Sequence, residues 1–173
     1  MAKLYQYFVE GKCEEAFINE YKNNKDQLFE SGKLEVINVI TEKIPIPRIR
    51  NLKHNTIIIL VYDTDVKNYD ILNENIKNIN IYAPTCKTIH IQSVENFENE
   101  IVRSTNLNNI NKMFKTESTD EFKAKFIACK NLRAKMKKIA FNYKKIWTTL
   151  SNDNNFSKYT SEKEVNKILK YKK

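Results

Sequence analysis

The sequence predicts an α/β fold on a mostly parallel sheet, and three observations carry that prediction. Short β-branched apolar runs alternate with segments whose apolar residues recur at helical spacing, the pattern of strands joined by crossover helices. The run Thr56 to Tyr62 is apolar almost throughout, which fits a central strand covered on both faces. Acidic residues then follow two of the predicted strands, as Glu10-Gly11 after Leu4 to Val9 and as Asp63-Thr64-Asp65 after Ile57 to Tyr62. Open α/β sheets bind ligands beyond the carboxyl ends of their strands, so both signatures fall where a site is expected.

In chain order, Lys3 to Val9 reads as the first strand. Cys13 to Asn23, with Ala16, Phe17 and Tyr21 on one face, reads as a helix, and Leu34 to Ile40 as a second strand. Pro45 and Pro47 mark an irregular connection to the central strand. A helix from Asn68 to Asn78 follows, then short strands at Asn80 to Ala83 and Thr88 to Ile91. Ser93 is placed to cap a helix from Val94 to Ser104. Beyond this the pattern is helical without strands. Phe122, Phe126, Cys129, Leu132 and Met136 recur at spacings of three and four and predict a packed seam. In one continuous helix, Lys123, Lys130, Lys137 and Lys144 would form a second stripe. The expected organisation is a catalytic-type α/β domain over residues 1–108 and a basic helical extension over 109–173 packed on it.

Charge separates these two parts. Residues 1–111 hold 13 Lys/Arg against 15 Asp/Glu, a balance of −2, whereas residues 112–173 hold 17 against 6, or +11. A basic half of this kind is an electrostatic footprint for phosphate backbones, although a lysine-rich helix also serves as a solvated face. Tyr143, Trp147 and Tyr159 lie among these basic residues as candidates for stacking on bases, with burial the expected role for Trp147. The three cysteines Cys13, Cys86 and Cys129 are far apart and form no CxxC pair, which argues for reduced thiols rather than a disulfide framework or a zinc site. With His54 and His90 the only histidines, chemistry built on several imidazoles is excluded and carboxylate chemistry remains. No apolar stretch reaches the ~20 residues that cross a bilayer and the N-terminal run lacks signal-peptide form, so a cytoplasmic protein without membrane contact is expected.

Asp63 and Asp65 are two apart in an extended segment, which would turn both carboxylates to one side, where they repel unless a cation compensates. Oxygen ligands suit Mg²⁺, or Mn²⁺ in its place. Glu10 leaves its strand at the sheet rim, and Gly11, one of only two glycines, permits a sharp turn or the close approach of a phosphate. Glu14 and Glu15 fall in a first helical turn, where negative charge favours the helix dipole; Glu14 is also open to a role as an outer metal ligand.

The order Phe8-Val9-Glu10-Gly11-Lys12-Cys13-Glu14, then Val61-Tyr62-Asp63-Thr64-Asp65, resembles a TOPRIM domain, the Rossmann-like catalytic fold of topoisomerases, bacterial primases, OLD-type nucleases and small maturation ribonucleases. The resemblance spans about Lys3 to Thr105. It implies metal or acid/base chemistry for Glu10 and Mg²⁺ binding by Asp63 and Asp65. The stretch Ser93-Val94-Glu95-Asn96-Phe97-Glu98 is similar to the Ser-Asn-Pro-x-Phe-Glu stretch of RloB-like TOPRIM proteins, which nominates Glu98, with Glu95 and Glu100 as alternatives.

The activity this implies is metal-dependent cleavage of DNA or RNA phosphodiesters, in a setting of anti-phage defence or mobile elements. Lys12, Lys125, Lys130, Arg133 and Lys137 would then hold the nucleic acid. A topoisomerase or primase would need further modules, and a maturation ribonuclease would resemble Asp-Pro-Asp-Phe-Pro-Gly where Val66-Lys67-Asn68 follows the aspartate pair. The contrasting expectation is a nucleic-acid-binding or regulatory subunit of the same fold without turnover. A regulatory protein partner and a homodimer stay open under either.

Overall fold

The computed structural model describes residues 3–22 and 28–159. Its centre is a four-stranded, all-parallel sheet of β1 (Tyr5–Val9), β2 (Lys33–Val36), β3 (Ile57–Asp63) and β4 (Lys87–Ser93), in the order β2-β1-β3-β4. Six longer helices accompany it: α1 (Lys12–Lys22), α2 (Ile46–Arg50), α3 (Tyr69–Tyr82), α4 (Phe97–Arg103), α5 (Thr119–Ile127) and α6 (Leu132–Lys138). A 3₁₀ turn (Ile110–Met113) precedes α5, and a single turn, α7 (Asn154–Ser157), closes the described chain. The sheet is that of a Rossmann-like α/β protein. Among the described residues no helix is long and apolar enough to cross a membrane.

Alternation along the strands divides the interior into two layers. Tyr7, Val9, Ile59, Val61, Ile89 and Ile91 face a core shared with α1, α4, α5 and α6. Phe8, Ile58, Leu60 and Tyr62 face the other, shared with α2, α3 and Phe156 of α7. β1 and β3 lie side by side, yet the helices that follow them cover opposite faces. The crevice between their carboxyl ends is therefore the switch point of the sheet, where such folds bind ligands.

The predicted seam packs as expected: Phe122, Phe126, Leu132 and Met136 are buried in the first layer, with Cys129 partly buried against it. The helix carrying them is not continuous. It stops at Ile127 and restarts at Leu132, with the Asn131 side chain accepting the Ala134 N–H (3.2 Å), so the four lysines do not form one stripe. Helix α6 closes in a Schellman turn without glycine, in which Phe141 N–H reaches Met136 C=O and Ala140 takes the left-handed conformation (φ 54°).

Three further expectations are corrected. The predicted strand Asn80 to Ala83 is the last turn of α3, because Leu72, Ile76 and Ile79 follow helical spacing into the second layer. The second strand ends at Val36 rather than Ile40, because the Asn38 side chain accepts the Ile40 and Thr41 N–H groups and turns Val39 and Ile40 into the core. Ser93 caps no helix: β4 runs through Ser93 in register with Asp63, and Asn96 caps α4 through the Asn99 N–H. Trp147 is buried, as expected. Asn23, the end of the predicted first helix, and the basic stretch 160–173 lie outside the described residues.

Candidate functional site

Two strand ends meet at the switch point through one hydrogen bond. Val9 is in register with Val61, so the chain leaving β1 passes beside the end of β3, where Glu10 Oε2 accepts the Asp63 N–H at 2.8 Å. Asp63 is buried, and its Oδ1 has no hydrogen-bond partner. An ionised carboxylate in that position is costly, and its pKa is pushed up to about 9, by burial first and then by the charges of Glu14 and Glu10. Glu10 is likewise raised by burial, held back by the Asp63 N–H, and raised further by Asp65.

Glu14 is buried with them. Its pKa rises to about 7 through burial, with Glu10 and Glu98 adding repulsion. Gly11 explains how it fits. No described glycine takes a positive φ, so the turn does not require one; instead, a Cβ at Gly11 would stand 3.1 Å from Glu14 Oε2. The missing side chain makes room for a carboxylate of the same chain rather than for a strained turn.

Three glutamates follow β4, and the structure separates them. Glu98 is buried at the start of α4 and faces the cluster, pairing with Lys123 Nζ at 3.4 Å. Glu100 is fully buried but committed to structure: it accepts from Arg103 (2.6 Å), from the Val94 N–H (3.2 Å) and from the Trp147 N–H (3.0 Å). Glu95 is left-handed (φ 67°), its side chain turned to Asn99 and Arg103. Its backbone carbonyl accepts the N–H groups of Thr64 (3.1 Å) and Asp65 (3.0 Å), and its own N–H donates to Thr64 Oγ1 (3.0 Å). The loops after β3 and β4 are thereby tied together.

Asp65 is exposed where Asp63 is buried. The strand ends at Asp63, and Asp65 stands exposed on the loop beyond, acting on Glu10 through its charge. Lys123 is the residue that the sequence-level site lacks. Burial opposes its charge, but Glu98 outweighs this and holds its pKa above the ordinary lysine value. Its place in the spaced lysines was legible, but its approach to Glu98 follows from α5 packing beside α4, with the Phe97 and Phe126 rings 5.9 Å apart. Cys13, beside the same carboxylates, has its thiol pushed up to about 12 by burial and by Glu14 and Glu98, so it stays neutral.

The site thus gathers hard oxygen donors around an unpaired buried oxygen, which suits Mg²⁺ in donor type. As placed, no three His, Cys, Asp or Glu side chains among the described residues form a metal-ligating group.

Of the predicted nucleic-acid contacts, Lys12 is paired with Glu15 (2.7 Å) and Lys125 with Glu121 (2.7 Å) on the surface. Lys130 is exposed between α5 and α6. Arg133 stands over the Tyr21 ring at 5.7 Å, and with Lys137, Phe141 and Tyr143 it lines an open groove of about 680 Å³. Tyr143 is 41% exposed. Tyr159 is not available for bases, since it stacks on His90 with ring centres 4.9 Å apart and its hydroxyl donates to Asn73. Comparison with protein-family models, curated proteins and solved structures returns no match.

Proposed function

We propose that the chain is a Mg²⁺-dependent nuclease of TOPRIM type that hydrolyses phosphodiester bonds of DNA or RNA. The observation that carries this reading is the unpaired, buried Asp63 oxygen at the switch point, with the charges of Glu14 and Glu10 beside it and Glu98 beside Glu14. Isolated carboxylates are not buried together without a compensating cation or proton. When bound, the ion would supply Lewis-acid stabilisation of the phosphate and a lowered pKa for attacking water.

Within the chain, Asp63 and Glu10 are the residues that would hold it, with Asp65 and Glu98 at the margins. Glu14, with a pKa near neutrality, is the group that exchanges a proton as the water oxygen bonds to phosphorus and the leaving ribose oxygen departs and is protonated. Lys123 brings a fixed positive charge to the side of α4 and would steady the phosphate oxygens. The groove beside α6, where Arg133 and Lys137 outnumber the single carboxylate Glu20, supports nucleic acid as the substrate, with Arg133, Lys137 and the exposed Lys130 outside it gripping the backbone. A setting in anti-phage defence or mobile elements belongs to this proposal, on the resemblance alone.

One observation favours a second reading, a nucleic-acid-binding subunit without turnover. Lys123 already pairs with Glu98, placing an ammonium where a metal would otherwise neutralise the cluster. Cleavage of labelled single- and double-stranded DNA and RNA, with Mg²⁺, Mn²⁺ or EDTA, separates the two. Metal-dependent products that disappear in Glu10→Gln and Asp63→Asn support the nuclease. Tight binding without products, unchanged in both variants, supports the subunit.

A further inference from the structure

A second cavity, of about 470 Å³, lies at the opposite end of the sheet, where β1 and β2 begin beneath the end of α2. That volume is in the range of small-molecule sites. Lys3, Lys33, Arg48 and Lys53 line it against a single carboxylate, Glu35. This concentration is not background, since the first 111 residues carry a net charge of −2.

The floor of the cavity is polar. Gln6 is only 4% exposed, on the face that carries Phe8, Ile58 and Leu60. Its amide Nε2 reaches the neighbouring Tyr7 C=O at 3.2 Å and Glu35 Oε1 at a marginal 3.5 Å. A carboxamide kept on a buried strand face, with weak bonds of its own, is suited to hydrogen-bond a ligand. Leu52 supplies an apolar wall beside it. Arg48 meets Glu35 at 3.5 Å while largely exposed, so its fork can turn to an anion.

We propose that this cavity binds a small phosphorylated ligand of mononucleotide size, its phosphate held by Lys33, Arg48 and Lys53 and its planar polar body placed between Gln6 and Leu52. The site is separate from the acidic cluster and does not depend on cleavage there. Glu35 is the one group that opposes an anion.

Calorimetric titration of the full chain with AMP, GMP, CMP, UMP and inorganic phosphate tests this. At least one nucleotide binds more tightly than phosphate alone. The double variant Lys33→Gln/Lys53→Gln, which alters only exposed side chains, weakens it tenfold or more, and Glu35→Gln tightens it several-fold. Gln6→Leu weakens the nucleotide but not phosphate. Asp63→Asn leaves binding intact. Absence of binding to all five probes, affinity unchanged in the lysine double variant, or loss of binding in Asp63→Asn would each overturn the proposal.

Discussion

At the scale of the residue, the acidic cluster makes stability depend on pH in a direction set by its raised pKa values. A carboxyl whose pKa is higher folded than unfolded binds more protons in the native state, so its contribution is complete below the unfolded value and fades as pH rises through the folded one. For Asp63 that window runs from its ordinary 3.8 to about 9, and for Glu14 from 4.5 to about 7, with Glu10 shifted in the same sense. Buried His90, lowered to about 4 by burial, acts oppositely below its ordinary 6.5, one group against three. Without divalent cations, the melting temperature should therefore fall as pH rises from 5 to 9, and Mg²⁺ should reverse the loss at the upper end; a flat profile in EDTA would contradict the buried-acid cluster. Asp63→Asn removes the ionisable group while keeping its shape. Thermal melts at pH 8 in EDTA should show this variant more stable than wild type, and gel assays should show it without Mg²⁺-dependent cleavage but binding nucleic acid normally.

At the scale of the element, the last described segment straps the second layer to the candidate site. Phe156 is fully buried against Tyr62 and Tyr69, and its carbonyl accepts from Gln92 at 2.8 Å. Asp153, just before it, accepts from the Tyr69 hydroxyl (2.6 Å) and meets Lys67 (3.6 Å), on the connection that follows Asp65. Phe156→Ala should cost about 3–5 kcal/mol in urea unfolding. It should also speed hydrogen exchange over residues 64–69, whereas exchange raised evenly through the sheet would mean that the strap has no local role. None of this strap was legible in the sequence, because a single buried aromatic in a polar stretch carries no period. The four strands were legible because β-branched runs are local signals, and the carboxylates at their ends followed from them. The break between α5 and α6 was not: Ala128-Cys129-Lys130 contains neither glycine nor proline, and the halves keep one buried seam across it. Lys123 escaped for a related reason, since its partner Glu98 is distant in sequence and tertiary packing of α5 beside α4, seen in the Phe97–Phe126 ring contact, brings them together.

At the scale of the whole molecule, the two opposite charge balances meet at one place. The acidic cluster belongs to the α/β part and Lys123 to the basic part, yet Phe122 and Phe126, on either side of that lysine, are buried in the same layer as Val9 and Val61. Helix α5 thus forms one wall of the site rather than a detachable arm, while Arg133 and Lys137 border the last turn of α1, away from the carboxylates at its first turn, and would hold backbone flanking the site. Each phosphate contact releases counterions and adds roughly 0.7–0.9 to the slope of log affinity against log salt. Replacing Lys130, Arg133 and Lys137 together by Gln should lower that slope by about 2, at up to one contact each, and weaken binding most at low salt. The melting temperature should barely move, since none of the three side chains is buried. Cleavage at saturating substrate should persist, because these residues hold flanking backbone and Lys123 with the carboxylates works on the phosphate at the site. A triple variant that binds normally but cannot cleave would place the chemistry in the groove beside α6 and remove it from the strand ends.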